Sequence, residues 1–209
     1  MVKVGLDIGH GGRDPGAIGP TGLQEKDVNL SVGLIVLSLL EGNGIETTVT
    51  RTTDVFVSLR QRSDMFNAAD VDLVISVHVN KVADPAPNYV ASFVYGRGGR
   101  AESAARLIQE ELRRVTGWPG PHSPDGVMVR NLHMVRETHA PAVVVEMGFI
   151  SNPEQERQLR DGSFHRVLAV AIAKGICRHF SLPFREVLTE NLPPGIVPAT
   201  LVGGLKPYA

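Results

Sequence analysis

Hydrophobic and polar residues follow two alternating periods along the chain. Residues 2–8 change character at every position, which is the period of a strand with one covered face. Residues 26–41 place apolar side chains three and four positions apart, the period of a helix, and the Gly-Asn-Gly run at 42–44 ends it. Segments with the strand period and segments with the helix period alternate in this way as far as residue 180. This alternation predicts strands at 2–8, 45–50, 72–79, 89–95 and 142–145, and helices at 26–41, 59–69, 100–115, 153–159 and 164–180.

The order of these elements predicts the fold class. Strands that alternate with helices indicate a single α/β domain with a mostly parallel, twisted sheet and helices on both faces. Residues 142–145 are almost wholly apolar, as is typical of a central strand that is covered on both sides. We expect the helix at 59–69 to have a buried apolar face and an exposed charged face. The inward residues are Leu59, Met65 and Phe66, and the outward ones are Arg60, Arg62 and Asp64.

Proline and glycine mark the expected end of the domain. We expect one domain at 1–181 and a Pro/Gly-rich tail or linker at 182–209, because five prolines and three glycines there prevent a long regular element. Residues 117–125 are also rich in proline and glycine, which predicts an exposed loop.

Composition narrows the classes of function. The chain has 209 residues, 43% of them hydrophobic, and a formal net charge of −1, so it lacks an electrostatic footprint for nucleic acid or an anionic membrane. No apolar run approaches the roughly 20 residues of a membrane span. Because Val2 already belongs to a strand, we expect no signal peptide in this chain. Cys177 is the one cysteine, so a metal would be held by His, Asp or Glu.

The candidate chemistry lies where predicted strands end. His10, His78 and Glu146 each follow a strand core, and Glu25 precedes the first helix. In open parallel sheets, ligands bind beyond the carboxyl ends of the strands. Two imidazoles, one carboxylate and an open position form a common catalytic zinc site, and His10, Glu25 and His78 supply that set. A further carboxylate is needed to move a proton during hydrolysis, and Glu146 is the candidate.

Other interpretations of these residues stay open. Glu146 would be a structural carboxylate if it paired with Arg51 or Arg136. Asp7 and Asp14 are metal ligands in a different arrangement, although an aspartate before proline is more typical of a turn.

Several further polar residues are assigned roles with alternatives. Asn80, His133 and Arg136 are candidates for substrate binding because they follow or lead to the strands that carry the site; a turn asparagine and a surface histidine are the other interpretations. We expect Arg51 and Asp54 to form a structural pair. Solvent-facing positions are expected for His122, His139, His165 and His179.

Five separated segments carry a resemblance to a known family. They are Gly-His-Gly-Gly-Arg-Asp-Pro-Gly-Ala at 9–17, Glu-Lys-Asp-Val-Asn-Leu at 25–30, Thr-Arg-Thr-Thr-Asp at 50–54, Ser-Val-His-Val-Asn at 76–80 and Pro-Ala-Val-Val-Val-Glu-Met-Gly-Phe-Ile-Ser-Asn-Pro at 141–153. In this order they resemble the zinc-dependent N-acetylmuramoyl-L-alanine amidases, bacterial cell-wall hydrolases that include autolysins and endolysins. The resemblance spans residues 2–180. Ile8 stands where members commonly have proline, and Val79 where they have a smaller residue.

The resemblance implies hydrolysis of the amide bond between N-acetylmuramic acid and the L-alanine of the peptidoglycan stem peptide. His10, Glu25 and His78 correspond to the ligands of one Zn²⁺ per chain, and Glu146 to the catalytic carboxylate. Peptidoglycan is the expected partner, and the cell wall is the expected place of action. We expect a monomer, which is a phage lysin, a mother-cell lytic enzyme or an excised domain. The rival hypotheses are another zinc amide hydrolase, such as a peptidase or deacetylase, and a non-catalytic peptidoglycan-binding module.

Overall fold

A computed structural model describes residues 1–120 and 125–187, and all ten predicted elements are present in it. Two further short elements, a strand at 127–129 and a helix at 133–137, lie where none was predicted. The last long strand continues to Phe149, so Glu146 lies within it. No helix in the described ranges combines the length and apolar character that crossing a bilayer requires. The elements are β1 (Lys3–Ile8), α1 (Glu25–Gly42), β2 (Glu46–Val49), α2 (Leu59–Ala69), β3 (Leu73–Asn80), β4 (Ala91–Val94), α3 (Arg100–Thr116), β5 (Val127–Val129), α4 (His133–Glu137), β6 (Ala142–Phe149), α5 (Pro153–Leu159) and α6 (Gly162–His179).

The strands form one six-stranded sheet in the order β2-β1-β3-β6-β4-β5. Every neighbouring pair is parallel except β4 and β6, which are antiparallel, so the sheet is mostly parallel as predicted. Because β1, β3 and β6 run in the same direction side by side, their carboxyl ends lie together. We call this side of the sheet, where Ile8, Asn80 and Phe149 end their strands, the carboxyl edge.

Helices cover both faces of the sheet, which confirms the predicted architecture. Alternate strand residues such as Val77 and Val145 pack with α1, α3 and α6 in one hydrophobic cluster. Their neighbours along the strands, such as Val74 and Val144, pack with α2 and α4 in a second cluster. The approach of α2 is close: a Cβ atom on Gly5 would lie 2.7 Å from the Phe66 ring, so glycine at this β1 position allows the contact.

The predicted faces of α2 are partly wrong. Phe66 is buried as expected, but Leu59 is 55% exposed and Arg62 is only 3% exposed. Leu59 lies in the first turn of α2, where the Ser58 capping box begins the helix. The Arg62 side chain turns inward because it donates hydrogen bonds to the Asp7 carboxylate and to backbone carbonyl oxygens at the end of β1. Periodicity alone could not anticipate those partners.

The chain continues past α6 in contact with the body of the domain. Leu182 and Phe184 pack against the first hydrophobic cluster. Asn43 accepts a hydrogen bond from the Arg185 amide and donates one to its carbonyl. Residues 188–209, most of the predicted tail, and residues 121–124 of the predicted loop lie outside the described residues. The predicted domain boundary therefore stays a prediction.

Candidate metal centre

Three elements bring His10, Glu25 and His78 together at the carboxyl edge. His10 lies in the turn that follows β1, Glu25 is the first residue of α1, and His78 lies in β3. Each offers one ligand atom, and the three atoms all lie within 4.8 Å of one another. We call these three residues the candidate metal centre. The sequence prediction that the three converge agrees with this geometry.

Glu25 lies between the two imidazoles. Its Oε1 is 2.9 Å from Nδ1 of His78 and its Oε2 is 3.2 Å from Nε2 of His10. The backbone amides of Ala17 and Val79 also donate to this carboxylate. Burial by itself would raise the pKa of Glu25, but hydrogen bonds and charge from the two histidines outweigh it and hold the pKa well below its usual range. Glu25 is therefore ionised, as a metal ligand must be.

His10 is oriented by Asp14. Its Nδ1 lies 2.9 Å from Oδ2 of Asp14, whose other oxygen accepts the Gly16 amide at 3.1 Å. Both carboxylates that face the ring only accept, so in the metal-free centre both nitrogens of His10 carry protons, and the bonds to Glu25 and Asp14 raise its pKa despite burial. A metal ligand would lose the Nε2 proton, and Asp14 would keep the one on Nδ1. A Cβ at Gly16 would lie 2.6 Å from the imidazole, and the φ of this residue is +66°. Glycine is therefore required beside the His10 ring.

His78 is packed closely against the end of β1. A Cβ at Gly9 would lie 2.4 Å from the His78 ring, so only glycine leaves room for the imidazole. The ring centroids of His78 and His10 are 5.0 Å apart and the rings are nearly perpendicular. Burial lowers the pKa of His78, but the hydrogen bond and charge of Glu25 raise it more, to about 9.

Glu146 lies beside this centre on the neighbouring strand. β6 pairs in parallel with β3, and the register places Glu146 opposite His78. Within the described part of the chain, its buried Oε2 has no hydrogen-bond partner. Burial raises the pKa of Glu146 to about 7, although the charge of His78 acts in the opposite direction. A carboxyl group with a pKa near neutrality can both accept and donate a proton at physiological pH.

The interpretation of Glu146 as a paired structural carboxylate is wrong. Arg51 donates instead to the backbone carbonyls of residues 8, 9, 26 and 53. Arg136 bonds to Glu137 and Asn131 on its own segment. The arginines proposed as partners are engaged elsewhere, so the Glu146 carboxyl remains available for chemistry.

The donor set fits a zinc ion. Catalytic zinc sites combine imidazole nitrogens with carboxylate oxygens and keep a position for water or substrate. Here both oxygens of a buried, ionised carboxylate face one nitrogen of each imidazole, and no thiolate is involved. Asp7, considered as an alternative ligand, is bound to Arg62 and to Ser76, and Asp14 contacts His10 from its outer side.

The predicted substrate-binding residues make other contacts in the structure. Asn80 ends β3 at the carboxyl edge, and its side chain accepts the amide of Lys81. His133 begins α4 and lies 3.1 Å from the hydroxyl of Ser63. Arg136 is exposed on the same helix. A role in substrate binding stays a prediction for all three.

Some residues near or behind the centre were missed or misjudged from the sequence. The turn function of Asp14 was predicted, but its contact with His10 was not; a carboxylate four residues after a ligand histidine is the signal that could have found it. Asp54 pairs with Lys26 at 2.7 Å rather than with Arg51. His165 was expected at the surface but is buried, bonded to Ser31 and to the carbonyl of Leu159.

Comparisons with known proteins decide the family. The family described as N-acetylmuramoyl-L-alanine amidase matches residues 4–178. The chain belongs to this family. The germination-specific N-acetylmuramoyl-L-alanine amidase of Bacillus subtilis is 32% identical over 190 residues, covering 84% of this amidase and 78% of the relative. The sporulation-specific N-acetylmuramoyl-L-alanine amidase of the same organism is 33% identical over 185 residues, covering 87% and 69%.

Solved structures agree with this assignment. The catalytic domain of CwlV, an N-acetylmuramoyl-L-alanine amidase from Bacillus (Paenibacillus) polymyxa var. colistinus, superposes with a TM-score of 0.80 at 31% identity, covering 88% of this amidase and 100% of that chain. The amidase AmiC2 of Nostoc punctiforme gives a TM-score of 0.80 at 28% identity, covering 86% and 97%. The predicted family, fold and enzyme class are confirmed: the chain is an amidase that acts on peptidoglycan.

Proposed function

We propose that this amidase uses one zinc ion, held by His10, Glu25 and His78, to hydrolyse the bond between N-acetylmuramic acid and the L-alanine of the stem peptide. One observation carries the zinc proposal: three ligand atoms from β1, α1 and β3 lie within 4.8 Å of one another, beside the unpartnered carboxyl of Glu146. The family match supports the choice of bond. A zinc ion supplies Lewis acidity, which lowers the pKa of water and polarises a carbonyl oxygen.

The residues of the candidate metal centre and two neighbouring carboxylates have distinct roles in the reaction. His10, Glu25 and His78 would hold the ion as two neutral imidazoles and an ionised carboxylate, so zinc binding would release the protons that Glu25 stabilises on the two rings. Asp14 keeps the proton of His10 on Nδ1, so that Nε2 is free to bind. Glu146 accepts the proton of the attacking water and delivers it to the nitrogen of the departing L-alanine. Burial raises the pKa of Glu146 above its ordinary value, which favours both transfers, because a group that must take and return a proton works best near ambient pH.

The first test is metal content and reaction product. We expect about one zinc per purified chain, and digestion of purified peptidoglycan should release peptides with an amino-terminal alanine and free lactyl groups on muramic acid. New amino termini at other residues would indicate a zinc peptidase, and free amino sugars would indicate a deacetylase. Binding to cell walls without any cleavage would contradict the enzymatic proposal.

The second test separates proton transfer from metal binding. Glu146→Gln should retain zinc, because the side chain is outside the candidate metal centre, but should lower turnover by roughly 10²- to 10⁴-fold, the usual contribution of general acid–base catalysis. Glu154→Gln, an exposed position on α5, is the matched control and should leave turnover unchanged. Undiminished turnover of Glu146→Gln would remove Glu146 from the mechanism.

The proposed setting is the cell wall, where peptidoglycan is the substrate of a monomeric enzyme. Relatives with germination-specific and sporulation-specific names support a wall-directed function. Phage lysin, mother-cell lytic enzyme and excised domain remain the proposed settings. Light scattering coupled to gel filtration should give the mass of one 22.5 kDa chain; the mass of a dimer would contradict the monomer.

A further inference from the structure

Two buried arginines hold the backbone that carries His10. Arg62 donates from Nη1 to the carbonyl of Ile8 at 2.7 Å and from Nη2 to the carbonyl of His10 at 2.8 Å. Arg51 donates from Nε to the carbonyl of Ile8 at 3.1 Å and from Nη2 to that of Gly9 at 3.0 Å. Three successive carbonyls at the end of β1 therefore each accept from a guanidinium. We call Arg51 and Arg62 the arginine clamp.

The segment held by the clamp has an unusual backbone. His10 has φ of +60°, in the left-handed region that residues other than glycine seldom adopt. Such a conformation persists only where the surrounding structure enforces it. Arg62 provides that restraint directly, because its two donor nitrogens bond on both sides of Gly9, at Ile8 and His10. The direction in which the imidazole leaves the backbone depends on this torsion.

Arg51 also connects two residues next to different metal ligands. Its Nη2 donates both to the carbonyl of Gly9 and, at 2.8 Å, to the carbonyl of Lys26. Gly9 precedes His10, and Lys26 follows Glu25. One nitrogen of the rigid, planar guanidinium of Arg51 therefore bonds both to the end of β1 and to the start of α1. A Cβ at Gly11 would lie 3.0 Å from the Arg51 side chain and 2.2 Å from the carbonyl oxygen of Val55, so glycine leaves space for this arrangement.

The clamp concentrates charge in the protein interior. Each arginine is 3% exposed, and the carboxylate of Asp7, 1% exposed, bonds to Arg62 at 2.7 Å. The same carboxylate accepts from the hydroxyls of Thr50 and Ser76. Buried charges carry a large desolvation cost, and apolar residues of similar size often stabilise a fold as well or better. The requirement that explains two guanidiniums here is geometric: they supply several directed donors to one short segment.

Resting on the proposed zinc function, we propose that Arg51 and Arg62 are positioning residues that set the spacing of His10 and Glu25 before the metal binds. Neither arginine is among the ligands, and they act through the backbone atoms next to those ligands. A centre arranged in advance binds its ion without the cost of ordering the ligands. Loss of the clamp should therefore weaken zinc binding in protein that is still folded.

The test measures zinc affinity rather than activity. The dissociation constant of the folded, metal-free protein is determined by competition with a chromophoric chelator, and the visible spectrum of the cobalt-substituted protein reports ligand geometry. Arg51→Met and Arg62→Met should bind zinc 10- to 100-fold more weakly, the range seen when groups behind metal ligands are removed, and should alter the cobalt spectrum. Arg51→Lys keeps the charge but loses the planar fork, so its affinity should lie between those of Arg51→Met and the unmodified chain.

A stability-matched control separates positioning from folding. Leu112→Ala removes a buried side chain of α3 in the first hydrophobic cluster. It should lower the unfolding midpoint and leave zinc affinity and the cobalt spectrum unchanged. If a methionine variant does not fold, Arg51→Lys, measured below its own unfolding temperature, decides the question.

The outcomes distinguish the two proposals. Unchanged zinc affinity and an unchanged cobalt spectrum in the folded arginine variants, together with weakened binding in His10→Gln, would overturn the clamp and keep the metal centre. Zinc affinity in His10→Gln equal to that of the unmodified chain would overturn the metal centre, and the clamp with it.

Discussion

The imidazole of His10 illustrates how a single residue depends on its partners. One nitrogen faces Asp14 and the other faces Glu25, so the carboxylate of Asp14 selects which nitrogen is available to a metal. Asp14 does a second task, because its other oxygen accepts the Gly16 amide and forms the turn. The two tasks require that both oxygens of Asp14 accept hydrogen bonds.

Asp14→Asn tests this dependence with minimal change of shape. An amide can accept through one atom only, so the variant either keeps the turn and faces His10 with a donor, or the reverse. We expect zinc affinity to fall 10- to 100-fold, because the favoured tautomer of His10 is lost. Isothermal titration with zinc measures the change. Asp64→Asn, at an exposed position on α2, is the control, and equal affinity in the two variants would contradict the orienting role of Asp14.

At the scale of elements, α5 supports the loop that leads to Glu25. The carboxylate of Glu156 is 1% exposed and accepts from the amide and hydroxyl of Thr21 at 3.0 and 2.9 Å. Arg160, one turn later, donates to the same threonine. Gly19 permits this contact, since a Cβ there would lie 2.3 Å from the Glu156 carboxylate. Because α5 follows β6, the strand of Glu146, this helix links the two sides of the site.

Glu156→Ala should loosen that loop. The Thr21 amide and hydroxyl lose a charged acceptor, and a hydrogen bond to a charged group contributes about 1.5–3 kcal/mol to the free energy of unfolding. Urea unfolding measures this loss, and hydrogen exchange should show reduced protection of the Thr21 amide. Glu154→Ala on the exposed side of α5 should change neither quantity. Unchanged protection of Thr21 in Glu156→Ala would show that α5 does not hold the loop.

At the scale of the whole molecule, buried His165 connects three helices. It projects from α6, its Nδ1 lies 2.8 Å from the Ser31 hydroxyl on α1, and its Nε2 lies 2.6 Å from the carbonyl of Leu159, the last residue of α5. A carbonyl only accepts, so Nε2 carries the proton of the neutral ring. Burial lowers the pKa of His165 more than the Leu159 carbonyl and the charge of Asp161 raise it. The folded state therefore favours the neutral imidazole.

This burial predicts a pH-dependent loss of stability. The pKa of His165 is lower in the folded chain than its ordinary 6.5, so the unfolded chain takes up the proton first as the pH falls. The neutral, buried ring of His165 stabilises the folded chain fully above pH 6.5. This stabilisation is lost as the pH falls from 6.5 through the pKa that His165 has in the folded chain. A pKa difference of one between the two states corresponds to about 1.4 kcal/mol.

Unfolding of the metal-free protein in urea between pH 7.5 and pH 5 tests the effect. The unmodified chain should lose more stability over this range than His165→Gln, which has no titrating ring at that position. His139→Gln, at an exposed position, should follow the unmodified chain. Parallel pH profiles for His165→Gln and the unmodified chain would contradict the prediction.

The sequence by itself determined the elements, the family and the candidate ligands. Hydrophobic periodicity is a property of neighbouring residues, so it located all ten predicted elements, and the parallel arrangement then placed His10 and His78 at one edge. It missed β5, with three residues, and α4, with five, because segments so short do not complete two periods. The chemistry of the side chains near strand ends pointed to His10, Glu25 and His78 without coordinates.

Only the tertiary structure decided how these residues are held and which of their neighbours matter. The register of β3 and β6 places Glu146 opposite His78, and no local pattern specifies a register between strands more than sixty residues apart in sequence. Arg62 was assigned to solvent because charge usually indicates exposure, yet distant carbonyls and Asp7 draw it inward. Burial depends on partners that the fold supplies from elsewhere in the chain, and the sequence around a residue does not contain them.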